Sequence, residues 1–108
     1  MEIKGRVAII TGGGGGIGAA VGRHWMSLGA RMVVLADRDG AAAGRAAATC
    51  GAVGVQLDVT DESAIVALVE RVEREYGPID IFFSNAGAGV PGNVEASNEA
   101  WQSQWELH

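Results

Sequence analysis

Cysteine and basic residues are scarce in this chain of 108 residues, and each scarcity excludes a class of protein. A single cysteine, Cys50, cannot form an intrachain disulfide framework or supply a cysteine-based metal site. Thirteen acidic residues against eight basic ones give a formal net charge of −5, and the basic residues form no cluster. This balance argues against binding to nucleic acid or to an anionic membrane surface. We therefore expect no metal site, no nucleic-acid partner and no membrane partner.

Long apolar runs are absent as well. No segment approaches the length of a membrane-spanning helix, and Met1 to Lys4 lack the apolar stretch of a signal peptide. A composition of 48% hydrophobic and 19% charged residues is typical of a folded globular protein, and 108 residues make at most one domain. These features predict one domain over residues 1–108 in a reducing, cytoplasmic compartment.

What the chain does have is a regular alternation of short apolar runs and helical patterns. The apolar runs predict strands at Arg6 to Ile10, Arg31 to Ala36, Val53 to Leu57 and Ile79 to Phe83. Helices are predicted at Ile17 to Leu28, at Ala41 to Cys50, in a third segment that Thr60 caps and Gly77-Pro78 ends, and from about Ser97. The order βαβαβαβα predicts an α/β fold, namely the first half of a Rossmann-type doubly wound parallel sheet with strand order 3-2-1-4.

Two of these helices carry apolar residues along one side. In the first helix this side consists of Ile17, Val21, Trp25 and Leu28, and in the third the apolar stripe consists of Ile65, Leu68, Val69, Val72 and Tyr76. Apolar residues at such spacing indicate one buried face of a helix. We therefore expect the stripe of the third helix, including Tyr76, to belong to the core.

Five consecutive glycines, Gly12 to Gly16, lie between the first strand and the first helix. Glycine permits a tight turn and lets a phosphate approach the backbone, and the first turn of a helix presents unpaired N–H groups to an anion. This strand, loop and helix start are typical of a dinucleotide pyrophosphate site. A flexible glycine linker is the bland alternative. A nucleotide-triphosphate loop is excluded because Ile17-Gly18-Ala19 stands where Lys-Ser or Lys-Thr is needed.

Asp37 follows the second strand, about 20 residues past the glycine loop, where an acidic side chain should meet the adenosine ribose. Its carboxylate can accept hydrogen bonds from both ribose hydroxyls, whereas a 2′-phosphate would meet like charge. The sequence therefore predicts NAD(H), with NADP(H) as the less favoured cofactor. Arg38 could soften this preference by approaching a phosphate. The alternative for Asp37 is a solvated turn residue, because Asp37-Arg38-Asp39-Gly40 also suits a turn.

Four separated segments together resemble the short-chain dehydrogenase/reductase family. They are Thr11-Gly12-x-x-x-Gly16-Ile17-Gly18, Asp37, Asp58-Val59, and Ser84-Asn85-Ala86-Gly87, where serine replaces the first asparagine of the family's Asn-Asn-Ala-Gly. The resemblance implies a cofactor site made of Thr11, Gly12, Gly14, Gly15, Gly16, Ile17, Gly18, Asp37, Arg38, Asp58, Val59, Asn85, Ala86 and Gly87.

The roles of the last two segments follow from their chemistry. The Asp58 carboxylate can accept a hydrogen bond from the adenine amino group, and Val59 can offer an apolar contact. Asn85 can bond backbone groups beyond the fourth strand, and Ala86-Gly87 lets the cofactor ribose approach closely. A helix-capping role for Asp58 and a plain turn role for Asn85 remain the alternatives.

The resemblance also implies what the chain lacks. The family's proton transfer depends on a Tyr-x-x-x-Lys pair with a serine upstream and a helix asparagine. Here the only tyrosine is Tyr76, the only lysine is Lys4, and His108 occupies the asparagine position after the segment that begins at Trp101. We therefore expect no catalytic residue in this chain, with His108 as the weakest of candidates.

The predicted function is that of an NAD(H)-dependent oxidoreductase that transfers hydride between nicotinamide and a small alcohol or carbonyl substrate. This chain would carry the cofactor-binding half, truncated before the catalytic half and inactive in isolation, and its parent would form a homo-oligomer. The alternatives are a non-catalytic dinucleotide-binding or interaction fragment, and a Rossmann-type epimerase.

Overall fold

Residues 2–85, which the computed structural model describes, form strands and helices in strict alternation. The elements are β1 (Val7–Thr11), α1 (Gly16–Ser27), β2 (Met32–Asp37), α2 (Gly40–Ala48), β3 (Val53–Gln56), α3 (Glu62–Tyr76) and β4 (Ile81–Ser84). The four strands of this part make one parallel sheet in the order β3-β2-β1-β4. The predicted α/β class and the order 3-2-1-4 are therefore confirmed. The helix predicted from about Ser97 lies outside the described residues.

The core consists of two apolar layers, one on each face of the sheet. Successive side chains of a strand point to opposite faces, so β1 contributes Val7 and Ile9 to one layer and Ala8 and Ile10 to the other. The first layer is completed by α3 and the second by side chains of α1 and α2. Strands that are covered on both faces must be apolar throughout, which explains the continuous apolar runs in the sequence.

The apolar side of α1 is only partly buried. Ile17 and Leu28, which share that side with Val21 and Trp25, are 66% and 48% exposed. The buried positions of this helix are glycines, Gly18 and Gly22. A Cβ atom on Gly22 would lie 2.6 Å from Cδ2 of Leu35, so the Leu35 side chain would have to shift to accept a larger residue there. Glycine has no hydrophobic signal, and for this reason the apolar pattern does not mark the buried positions of α1.

The other half of that apolar side does pack on the sheet. Val21 and Trp25 are partly buried against the layer that α1 and α2 cover. The Trp25 ring meets Phe83 of β4 edge to face, with centroids 6.1 Å apart and an interplanar angle of 80°. Such aromatic pairs stabilise a fold beyond their buried area. Trp25 therefore packs α1 against β4.

Asp61, and not the predicted Thr60, caps α3. The Asp61 side chain accepts a hydrogen bond from the Ala64 N–H at 3.1 Å, while Thr60 binds the carboxylate of Asp58. The helix ends at Gly77, whose φ of 110° is a conformation that favours glycine. Tyr76 is partly buried against the first core layer, as predicted.

No helix within residues 2–85 combines the length and the apolar character that crossing a membrane requires.

Close contact between α2 and β3 generates the first prediction. A Cβ atom on Gly54 of β3 would lie 2.6 Å from the carbonyl oxygen of Ala43, whereas a Cβ atom on Gly44 would meet nothing within 4 Å. We expect Gly54→Ala to lower the free energy of unfolding by about 1–3 kcal/mol, because the helix must move off the strand. Gly44→Ala, the matched control, should raise it by about 0.5–1 kcal/mol, since alanine is the better helix former. Urea denaturation of both variants measures these changes, and equal stabilities would contradict the packing.

Candidate functional site

The glycine loop between β1 and α1 follows a path that depends on glycine at two points. Gly12 has a φ of 68°, in the left-handed region. Gly18, in the first turn of α1, lies so close to the Gly12 carbonyl that a Cβ atom there would overlap the oxygen. The loop is tied to β2 by a hydrogen bond from the Gly13 N–H to the Ala36 carbonyl at 3.0 Å. It is therefore folded tightly back against the start of its own helix.

Asp37, the last residue of β2, binds the same loop through its side chain. Its Oδ2 accepts from the Gly14 N–H and its Oδ1 from the Asp39 N–H, both at 2.9 Å. Each carboxylate oxygen has two lone pairs, so both oxygens keep an acceptor site for a further donor. Asp37 is thus held in place by the protein and can still accept hydrogen bonds from a ligand.

Within residues 2–85, α1 is the helix that begins without a side-chain cap. Its N-cap is Gly15, whereas Asp39 and Asp61 cap α2 and α3. A Cβ atom on Gly16 would meet nothing within 4 Å, so open space lies beside the first turn. The N–H groups of a first turn and the positive end of the helix dipole attract anions. The start of α1 is suited to a phosphate group, and the surrounding residues fit a dinucleotide.

A polar turn follows β3, and Asp58 organises it. Oδ1 of Asp58 accepts from the Thr60 N–H at 2.9 Å and from the Thr60 hydroxyl at 2.6 Å. Oδ2 faces Nη2 of Arg38 at 3.6 Å. The Thr60 hydroxyl and then the Thr60 amide lower the pKa of Asp58; desolvation opposes them, and the Arg38 charge lowers the pKa by a smaller amount than either hydrogen bond. Asp58 is therefore charged at neutral pH and lies beside Arg38.

Asn85 joins the ends of the two strands at which the strand order reverses. Its N–H donates to Oγ1 of Thr11 at 3.0 Å, and Thr11 is 1% exposed. Open α/β sheets bind ligands in the crevice at the carboxyl ends of their strands, where the strand order reverses. This hydrogen bond fixes the edge of that crevice between β1 and β4.

These groups surround a cavity of about 450 Å³ whose lining consists of Gly12, Gly15, Asp37, Arg38, Leu57, Asp58, Val59, Thr60 and Asn85. Seven of the predicted site residues are thus brought together. The others in the described part, Thr11, Gly14, Gly16, Ile17 and Gly18, belong to β1, the loop and the first turn of α1. Ala86, Gly87 and His108 lie outside the described residues.

Sequence reasoning did not assign two of the lining residues to the site, Leu57 and Thr60. Leu57 had a usable signal, because it directly precedes Asp58 at the carboxyl end of a predicted strand. Thr60 follows Asp58 by two residues, which is the spacing of a turn closed by an aspartate side chain. Because Thr60 was interpreted as the cap of the third helix, its role in the turn after Asp58 was not predicted.

The turn after β3 generates a prediction about protonation. Thr60→Val removes the hydroxyl that contributes most to the low pKa of Asp58 and leaves the backbone bond in place. We expect the pKa of Asp58 to rise toward its ordinary value, near 3.9. The stabilisation linked to this carboxylate is present above pH 3.9 and is lost as the pH falls through its lower folded-state pKa. In Thr60→Val the two pKa values are closer together, so the free energy of unfolding should fall by less on acidification. NMR titration of the Asp58 carboxyl carbon measures the pKa, and an unchanged value would contradict the role of the hydroxyl.

Known proteins match this chain in sequence and in fold. The family model of the short chain dehydrogenases matches residues 6–107. Galactitol 2-dehydrogenase of Agrobacterium fabrum is 41% identical over 105 residues, which are 92% of this chain and 41% of that enzyme. The match to a 3-ketoacyl-(acyl-carrier-protein) reductase from Brucella melitensis, complexed with NADH, has a TM-score of 0.69 and 38% identity over 74% of this chain and 34% of that one.

A second solved structure, a short chain dehydrogenase/reductase from Burkholderia phymatum in complex with NAD, matches with a TM-score of 0.72 and 36% identity over 77% of this chain and 31% of that one. The chain spans 32% to 42% of the length of eight curated relatives that it matches. The fold, the loop at the start of α1 and these matches all indicate the same family. The chain belongs to the short chain dehydrogenase family of oxidoreductases, which bind nicotinamide cofactors on a Rossmann fold.

Proposed function

We propose that this chain binds NAD(H) and supplies the cofactor-binding half of an NAD(H)-dependent oxidoreductase acting on a small alcohol or carbonyl compound. The observation that carries the proposal is the position of the Asp37 carboxylate, which accepts from the Gly14 N–H at 2.9 Å and lines the cavity beside the uncapped start of α1. An acceptor for ribose hydroxyls and donors for a pyrophosphate thus lie at one crevice. The two solved relatives, bound to NADH and to NAD, support the same assignment.

In this proposal the first turn of α1 binds the pyrophosphate. The N–H groups of Gly16, Ile17 and Gly18 would donate to its oxygens, and the helix dipole would favour its negative charge. Glycine at position 16 leaves open space for the phosphate. The Ile17 side chain, which is 66% exposed in the free chain, would cover the pyrophosphate from the solvent side.

The adenosine would occupy the cavity between the carboxyl ends of β1, β2 and β3. Asp37 would accept from both ribose hydroxyls, and Asp58 with Val59 would contact the adenine. Asn85 would hold the edge of the crevice toward the nicotinamide side through its bond to Thr11. Ala86 and Gly87 enter the proposal from the sequence motif.

The bound nicotinamide supplies hydride exchange with the substrate carbon. The described residues would bind and orient the cofactor, and they offer no tyrosine for proton transfer at the crevice: Tyr76 packs against the core at the end of α3. Lys4 precedes β1, at the opposite end of that strand. We therefore propose that residues 1–108 alone bind the cofactor without turning over an alcohol or a ketone.

Titration calorimetry with NADH and NADPH tests the assignment of Asp37. We expect NADH to bind more tightly by about tenfold or more, because a 2′-phosphate beside the Asp37 carboxylate meets repulsion of about 1–4 kcal/mol at 4 Å. Asp37→Asn should narrow the difference. Asp39→Asn makes the same charge change two residues away and keeps a side chain that caps α2, so it should leave the difference intact. Equal or tighter binding of NADPH by the unmodified chain would refute the preference, and failure to bind either cofactor would refute the proposal.

Gly18→Ala tests the loop. The added methyl group would overlap the Gly12 carbonyl and push the loop away from the first turn of α1. We expect the affinity for NADH to fall at least about tenfold, since the N–H groups that face the pyrophosphate would move apart. Gly44→Ala adds the same group in open space and should bind NADH normally. If NADH fluorescence shows unchanged binding to Gly18→Ala, the loop is not the pyrophosphate site.

A further inference from the structure

Arg38 is the one cationic side chain in the lining of the cavity within the described residues. It directly follows Asp37 at the end of β2, and its guanidinium lies beside the turn that follows β3, with Nη2 3.6 Å from Oδ2 of Asp58. The side chain of Arg38 is 80% exposed and that of Asp58 45% exposed. The two residues thus form an ion pair at the mouth of the cavity.

The two oxygens of Asp58 have different partners. Oδ1 accepts both the amide and the hydroxyl of Thr60, which fixes the orientation of the carboxylate. Oδ2 is left to face Arg38. The turn after β3 therefore presents a charged oxygen toward the guanidinium.

A guanidinium next to Asp37 is also the group best suited to receive a phosphate on the ribose 2′ oxygen. Arginine binds phosphate through two parallel hydrogen bonds, and such charge-assisted bonds are among the strongest that side chains form. The same guanidinium cannot give its full charge to a 2′-phosphate while it pairs with a carboxylate. Asp58 and a 2′-phosphate would therefore compete for Arg38.

We propose that Asp58 strengthens the preference for NAD(H) by withholding Arg38 from the ribose 2′ position. The inference rests on the proposed cofactor function and adds a second determinant of selectivity to Asp37. Asp58 acts here as a positioning residue, through Arg38, in addition to any contact of its own with the adenine. An adenine contact would be common to NADH and NADPH, so it cancels when the two affinities are compared.

Asp58→Asn is the substitution that isolates this effect. The asparagine keeps an oxygen for the Thr60 N–H and hydroxyl, so the turn is retained. It replaces the oxygen that faces Arg38 with an amide nitrogen, which cannot accept a hydrogen bond from the guanidinium. Both positions are exposed enough that neither Asp58→Asn nor Arg38→Ala should disturb the core.

The experiment is a double-mutant cycle on the 108-residue chain. Dissociation constants for NADH and NADPH are measured by calorimetry for the unmodified chain, Asp58→Asn, Arg38→Ala and the double variant. We expect Asp58→Asn to improve NADPH binding relative to NADH by about two- to fivefold, the range expected for an exposed ion pair. In the Arg38→Ala background the improvement should be less than half as large. At 1 M salt the Arg38-dependent part should shrink, because the screening length falls to about 3 Å.

Asp61→Asn is the matched control, because it removes one negative charge at the start of α3 and leaves a side chain that caps the helix. It should not change the ratio of the two affinities. An equal improvement in both arginine backgrounds, or with Asp61→Asn, would show a general charge effect and overturn the inference. If NADH binds and Asp58→Asn leaves the ratio unchanged, the inference fails and the proposed function stands. If the unmodified chain binds neither cofactor, both fail.

Discussion

Burial of β1 on both faces is the constraint on which the rest of this structure depends. All five residues from Val7 to Thr11 are buried, so the strand has no room for polar chemistry along its length. Polar side chains therefore lie at its two ends: Asp80 accepts the Val7 N–H at the amino end, and Thr11 at the carboxyl end pairs in register with Ala36 of β2 and with Ser84 of β4. The register aligns the ends of the strands, and the residues that follow each strand therefore meet at one crevice. The position of the site is a consequence of how the core is covered.

Small residues bring the helices close enough for that crevice to form. A Cβ atom on Gly14 would lie 2.7 Å from Cβ of Ala42, and one on Gly54 would lie 2.8 Å from Cα of Gly44. Most of these approaches are made by backbone atoms, which cannot avoid an added methyl group by changing rotamer. The alanine-rich composition of α2 belongs to the same arrangement, since Ala43 is fully buried against the sheet. Close backbone packing therefore holds α2 against the glycine loop and against β3.

The sequence was sufficient for the order of the elements, because strands of period two and helices of period 3.6 leave different apolar patterns. It also placed Asp37, Asp58 and Asn85 at one edge of the sheet, where they line the same cavity, because each comes at or just after the end of a strand. It failed where the determining residue carries no pattern. The buried positions of α1 are Gly18 and Gly22, and hydrophobicity does not mark them. The ion pair between Arg38 and Asp58 could not be predicted from the sequence either, because it depends on how two turns 20 residues apart in the chain approach each other.

Asp37 couples two properties that the sequence suggests are separate. The carboxylate that would select the ribose also holds the glycine loop through the Gly14 N–H and its own turn through the Asp39 N–H. Removing it would leave a backbone donor of the loop without its partner, at a cost of about 1–3 kcal/mol if that donor stays buried. A substitution made at this position alone to change cofactor preference would therefore also disturb the glycine loop, the proposed pyrophosphate site. The Arg38 side chain is 80% exposed and pairs with Asp58, whose other side-chain hydrogen bonds go to Thr60 in the turn after β3. Under the proposed function, a substitution at Arg38 or Asp58 would change the cofactor preference while the hydrogen bond from the Gly14 N–H to Asp37 stays in place.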